Sequence, residues 1–249
     1  MRLIDGVSYL GRETLRIVLP SPCVVCGGEL SWSGRRGSCC GSCWDALPAI
    51  AGPACRRCGI PWEMAGGAID SFLCLDCVGR ERDPVERIVS WGRYAGGLER
   101  LVHAFKFERH DFLDAPLASL LLSAWAEWSP EGIDAAVPVP LHRRKLLERG
   151  YNQADLLARK FAAGAGLRYL PGLLRREIDT PPQAGLKRGE RAANVRRAFA
   201  AERGCGGRGV VLIDDVCTTG ATLRGCARSL RRAGARRVVA LTVARATAT

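Results

Sequence analysis

Long apolar runs are missing from this sequence. Near the N-terminus Leu3, Ile4, Val7, Leu10 and Leu15 are interrupted by Asp5, Arg12, Glu13 and Arg16 before a signal-peptide core can form, and no later stretch is long enough to span a bilayer. The expectation is a cytoplasmic protein with no membrane insertion, working in a reducing compartment. Lysine is scarce, appearing only at positions 106, 145, 160 and 187, so the net charge of +12 rests on arginine. Abundant Ala and Gly beside that arginine suggest GC-rich codon usage, which makes part of the Arg excess compositional. Histidine is limited to His103, His110 and His142, each read singly as a surface or packing residue, and no general base is evident. Polar low-complexity tracts are also absent. With 47% hydrophobic and 25% charged residues the chain reads as globular, and disorder is excluded for most of it.

What is abundant is positive charge and cysteine. A pI of about 9.5 points to polyanionic partners, whether nucleic acid, polyphosphorylated small molecules or both. Nine of the 12 cysteines fall between Cys23 and Cys77. Eight of them repeat one spacing, Cys23/Cys26, Cys40/Cys43, Cys55/Cys58 and Cys74/Cys77. A Cys-x-x-Cys turn sets two thiolates on one side of a tight loop, and two such turns close a four-sulfur shell with no position open for substrate. Structural Zn²⁺, one or two ions, is therefore expected, with redox dithiols or an iron-sulfur centre as alternatives that the spacing also permits. Pairing neighbours gives Cys23, Cys26, Cys40, Cys43 and Cys55, Cys58, Cys74, Cys77; interleaved pairing is the alternative. Cys39 is spare and competes with Cys40 as a ligand.

The composition changes after Cys77. The organisation expected is an N-terminal helical segment over 1–20, a double zinc ribbon over 21–80, and an α/β domain over 81–249. Strands are predicted at 88–94, 135–139, 210–213 and 238–243. Helices are predicted around Leu98 to Phe105, from Asp114 to before Pro130, over 152–163, and along Leu223, Cys226, Ala227 and Leu230 with Gly234 as C-terminal cap. The apolar run Val210 to Ile213 suits a central parallel strand.

That strand leads into Asp214, Asp215, Val216, Cys217, Thr218, Thr219, Gly220, Ala221 and Thr222. Ligands of open parallel sheets sit beyond the carboxyl ends of strands, where the two acids are expected. The hydroxyl-rich loop after them, opening a helix, offers backbone N–H groups to a phosphate. Acids beside a phosphate cradle suit a sugar phosphate, whose vicinal hydroxyls donate to carboxylates. Cys217 has no base partner in the sequence and reads as a packing residue.

The segment resembles the signature of type I phosphoribosyltransferases. By that resemblance Asp214 and Asp215 hold the ribose of phosphoribosyl pyrophosphate, and the loop from Cys217 through Thr222 holds its 5-phosphate. Purine-using members commonly carry an acid at the place of Thr218, which weakens the case for a purine acceptor. The run from Val137 to Lys145, then Arg149, Gly150, Tyr151, Asn152 and Gln153, resembles the ComF family of competence-associated proteins. So do His103 to Phe107, Arg176, Thr180, Gln183, Leu186, Arg191, Asn194, Phe199 and the cysteine-rich head. The resemblance implies a parallel-sheet, type I phosphoribosyltransferase-like domain preceded by a small zinc-ribbon domain. It also implies a loop with His142, Arg143, Arg144 and Lys145 at the pyrophosphate, a mobile cover over 181–197 with Lys187, Arg188 and Arg191, and Mg²⁺ bound with the ligand. Single-stranded DNA or a protein of the competence machinery is the implied partner. A non-catalytic sensor of phosphoribosyl pyrophosphate and a nucleobase-salvage enzyme are the alternatives.

Overall fold

The computed structural model describes residues 22–30, 39–62, 72–80, 82–108, 110–128, 130–178, 198–202 and 204–246. The 1–20 segment, Trp32 and the expected cover over 181–197, with Lys187, Arg188 and Arg191, lie outside the described residues.

The cysteine-rich head supplies two short helices, α1 (Gly41–Asp45) and α2 (Leu75–Val78). The larger part follows as β1 (Ile88–Arg93), α3 (Gly96–Phe107), α4 (Asp114–Trp128), β2 (Ala135–Pro138), α5 (Arg143–Arg149), α6 (Gln153–Ala165), β3 (Arg168–Tyr169), β4 (Leu174–Arg176), β5 (Phe199–Ala201), β6 (Gly209–Cys217), α7 (Ala221–Arg232) and β7 (Arg237–Arg245). Five strands form one sheet in the order β1-β7-β6-β2-β3, every neighbouring pair parallel, while β4 and β5 make a separate antiparallel pair. Among the described residues no helix is long and apolar enough to cross a membrane.

The pleat explains the layering. Successive side chains leave a strand on opposite faces. Val211 and Ile213 of β6 join Leu101, Phe105, Leu117, Leu157 and Phe161 under α3, α4 and α6. Val210 and Leu212 join Leu223, Cys226 and Leu230 of α7 and Phe199 of β5 on the other face. Both faces are covered, which is why the strand is apolar without alternation. The head is not a separate body: Cys23, Cys39, Trp44 and Leu47 are buried in the same cluster as Leu98 and Leu101.

Helix ends follow local chemistry. Asn152 caps α6, its side-chain oxygen accepting the Ala154 N–H at 3.1 Å. Gly234, at φ 92°, closes α7 in a Schellman turn, with Ala235 N–H on Leu230 O and Gly234 N–H on Arg231 O.

Two expectations are corrected. β6 does not stop at Ile213 but runs to Cys217, because β7 pairs with it along the whole length, through Asp214↔Thr242, Val216↔Ala244 and Cys217↔Arg245. β2 has already ended at Pro138↔Ile213, so among the described residues the last residues of β6 have no strand partner on that flank. Arg143, Arg144 and Lys145, expected on a loop, instead form the first turn of α5, capped by His142.

Candidate functional site

The two acids occupy the projecting end of β6 and, through the pleat, diverge. Asp215 turns to the α3 face, where its Oδ1 lies 2.9 Å from Lys106 Nζ in a mostly buried ion pair. Asp214 turns toward α7 and β4, and its Oδ1 accepts the Asp215 N–H at 2.9 Å. Burial, and then the neighbouring Asp215 charge, push the Asp214 carboxyl up to about 7 against the opposing pull of Lys106 and Arg176. A carboxyl titrating there accepts hydrogen bonds or holds a proton near neutrality.

Cys217 is the last residue of β6, 2% exposed, with its thiol under the guanidinium of Arg245 and its carbonyl taken by Ala246 N–H. Burial raises its pKa. It is a packed residue, and the surface open to a ligand begins at Thr218 and Thr219, both exposed. Gly220 then turns at φ 73° and starts α7. A Cβ there would stand 2.8 Å from Arg224 Nη1 and 3.1 Å from Ile88 Cδ1, so the bend requires glycine on two counts. Arg224 is 5% exposed. Its Nη1 donates to Thr219 O at 2.8 Å and its Nε to Asp83 Oδ2 at 2.7 Å, fixing the loop from beneath.

The residues from Arg149 to Gln153 are brought to the same end of the sheet, largely as struts. Tyr151 OH donates to Phe105 O at 2.6 Å, Asn152 Nδ2 to Val139 O at 3.0 Å, and Arg149 Nη1 to Gln153 Oε1 at 3.1 Å, with the Arg149 guanidinium 5.0 Å from the Phe107 ring centre. Gln153 Nε2 also reaches Lys106 O at 3.5 Å, so this segment holds the end of α3 that carries Lys106. Arg143 and Arg144 are exposed on α5, Arg144 paired with Glu148 at 3.1 Å. From the sequence, Lys106 stood within the run His103 to Phe107 but had no role, and Arg224, Arg245 and Asp83 were not singled out. A lysine kept in a chain that otherwise uses arginine was a signal for the first. An arginine set among the core residues Leu223, Cys226 and Ala227 was one for the second. A concavity of about 700 Å³, lined by Phe199, Gly204, Arg208, Ser229 and Arg232, has no carboxylate or thiol among the described residues of its lining and lies apart from the acids.

The cysteines pair as neighbours. Cys23, Cys26, Cys40 and Cys43 form one group and Cys55, Cys58, Cys74 and Cys77 another, each with its sulfurs within 4.8 Å of one another. The two are built alike. Gly27 N–H bonds Cys23 O and Gly59 N–H bonds Cys55 O, both at 2.8 Å and both with glycine at positive φ. Cys40 N–H reaches Cys23 Sγ and Cys74 N–H reaches Cys55 Sγ, both at 3.4 Å. Sulfur separations of 3.9 Å for Cys26–Cys40 and 3.6 Å for Cys58–Cys74 bracket the roughly 3.8 Å edge of a tetrahedron with Zn–S bonds of about 2.3 Å. Burial acts to raise the thiol of Cys23, but backbone N–H groups outweigh it and bring the pKa down to about 6; the same balance brings Cys55 to about 7. Donor set and spacing fit structural zinc, and each group already holds a lowered thiol, Cys23 or Cys55, beside others that are raised, Cys43 in the first and Cys58 and Cys77 in the second. Cys39 stays outside the group, fully buried and pushed up to about 12 chiefly by burial. Of the ribbon tryptophans, Trp44 is buried and Trp62 packs edge-on against Phe72.

Comparison with known proteins accords with this architecture. Residues 14–78 match the double zinc ribbon domain and residues 147–249 the phosphoribosyl transferase domain. The chain is 30% identical to Competence protein F of Haemophilus influenzae, over 90% of this chain and 96% of that one. It is 33% identical to the DNA utilization protein YhgH of Salmonella typhimurium, over 88% and 94%. A glutamine phosphoribosylpyrophosphate amidotransferase from B. subtilis, solved with ADP and GMP, is similar over 53% of this chain and 26% of its own, at 23% identity and a TM-score of 0.37. A double zinc ribbon joined to a phosphoribosyltransferase-type sheet, and relatives matched over nearly their full length, establish that the chain belongs to the ComF family of competence-associated proteins.

Proposed function

We propose that this protein binds phosphoribosyl pyrophosphate at the carboxyl end of β6. The observation that carries the reading is the order along the chain: a β6 end bearing Asp214 and Asp215 that β7 alone pairs among the described residues, then the exposed Thr218 and Thr219, then the Gly220 bend into α7. Backbone N–H groups at the start of α7 and the threonine hydroxyls suit the 5-phosphate, and the acids suit the ribose hydroxyls. Lys106 answers the objection that acids repel a polyanion, since it offsets the charge of Asp215. His142, at the cap of α5, and Arg143, Arg144 and Lys145 in its first turn are assigned to the pyrophosphate, together with Lys187, Arg188 and Arg191. Mg²⁺ would enter with the ligand, bound to diphosphate oxygens and water, as a hard cation prefers. If bond breaking follows, these cations stabilise departing pyrophosphate. The test is thermal unfolding with phosphoribosyl pyrophosphate and Mg²⁺. Ligand at a hundred times Kd adds about 2.7 kcal/mol of stability. A transition that rises for wild type and not for Asp214→Ala/Asp215→Ala supports the site, and no rise for wild type refutes it.

The net charge of +12 favours a second activity alongside the first, binding of single-stranded DNA in DNA uptake. The names of the relatives, a competence protein and a DNA utilization protein, support it. Affinity for an oligonucleotide should fall steeply as salt is raised, because phosphate contacts release counterions. Affinity indifferent to salt would contradict it.

A further inference from the structure

Resting on the ligand reading above, we propose that the second tetracysteine centre positions the loop Thr218 to Thr222, so that the loop's affinity for a sugar phosphate depends on the metal at that centre and not on the metal at the first.

Two routes run from the centre to the loop, one through contacts at Ile88 and one along the chain from Cys77 to Asp83. The first passes through Ile88. Arg57, between Cys55 and Cys58, accepts the Ile88 N–H on its carbonyl at 2.8 Å, and its own Nη1 donates to Cys77 O at 2.7 Å. Gly59 lies so close to β1 that a Cβ would stand 2.6 Å from Ile88 O. On its other side the Ile88 side chain fills the space beside Gly220, 3.1 Å from where a Cβ would be. The knuckle and the loop thus grip the same residue from two directions. The second route passes through Asp83, in the connector that leaves Cys77. Asp83 holds Arg224 in an ion pair whose side chains are 6% and 3% exposed, and Arg224 holds the Thr219 carbonyl.

The first centre has different neighbours. Val25 and Leu47 pack at Gly97, and Arg100 reaches Val24 O at 3.5 Å, so this knuckle braces the N-terminal part of α3. Lys106 is at the opposite end of that helix. Two centres of matching construction are therefore predicted to differ in what they control.

The comparison uses the full zinc-loaded chain and position-matched variants, Cys40→Ser for the first centre and Cys74→Ser for the second. Hydrogen exchange is read over residues 217–224, with zinc content and ribose 5-phosphate binding measured on the same samples. Each variant should lose one zinc. Cys74→Ser should speed exchange over 217–224 at least tenfold and weaken ribose 5-phosphate at least tenfold; Cys40→Ser should leave both within twofold. Asp83→Asn, with both zinc ions retained, should loosen the same segment, which separates a lost strut from general unfolding should Cys74→Ser fail to fold. Equal exchange over 217–224 in the two cysteine variants, or an unchanged loop in Asp83→Asn, overturns the proposal. A wild-type protein that binds no ribose 5-phosphate overturns the ligand reading, while the exchange comparison still decides the coupling.

Discussion

Asp214 and Lys106 act on the stability of the β6 end in opposite directions. An acid whose pKa rises from 3.8 unfolded to about 7 folded binds more protons in the native state between those values. Stability from this group is therefore lost as pH rises from about 4 to 7, and the whole cost is present above 7. Asp214→Asn should raise unfolding free energy by about 1–3 kcal/mol at pH about 8. Urea titrations should show that gain shrinking toward pH about 4, and a gain independent of pH would contradict the assignment. Lys106→Met leaves the Asp215 carboxylate mostly buried and unpaired, at a cost of about 1–3 kcal/mol. Adding Asp215→Asn should recover most of that loss, because the two residues share one interaction. Additive losses in the double-mutant cycle would show that the pair is not coupled.

At the scale of elements, what was legible in the sequence followed from periodicity and punctuation. Leu98, Leu101, Val102 and Phe105 marked α3, Pro130 lay just past the end of α4, and the apolar Val210 to Ile213 marked β6. The end of β6 was not legible, because Asp214 and Asp215 read as loop residues. Pairing with β7 keeps them in the strand, a tertiary effect that local propensity does not contain. β3, β4 and β5 are two or three residues each and exist through their partners, so no pattern of useful length announces them. α5 buries none of its residues and therefore has no apolar face to read. The candidate site was legible as a list, Asp214 to Thr222, but not as a shape: the pleat separates the acids, and Lys106 comes from a helix distant in sequence. Gly220→Ala should cost about 1–3 kcal/mol, from its positive φ and from the displacement of Arg224, and should lower ligand affinity; unchanged stability by calorimetric melting would remove the argument for the bend. Asn152→Ala removes a cap and a bond to Val139 O, and about 1 kcal/mol of stability should go with it.

For the whole molecule, the first ribbon shares a core with the sheet and the second, a small cluster of its own, packs on β1 through Arg57 and Gly59, so metal in the ribbons is expected to support the fold of both head and sheet. Protein purified without added metal should carry about two zinc ions per chain by elemental analysis. Stripping them with a strong chelator should lower the unfolding temperature of the sheet as well as of the head. A sheet that melts unchanged after metal removal would show that the two are energetically separate. The central claim, that β6 and its loop form a site for phosphoribosyl pyrophosphate, is tested most directly by calorimetric titration of that ligand with Mg²⁺ into the zinc-loaded protein. One site per chain with micromolar or tighter affinity is expected, weakened at least tenfold in Asp214→Ala/Asp215→Ala; absence of binding heat at several temperatures, or equal affinity in that variant, would contradict it.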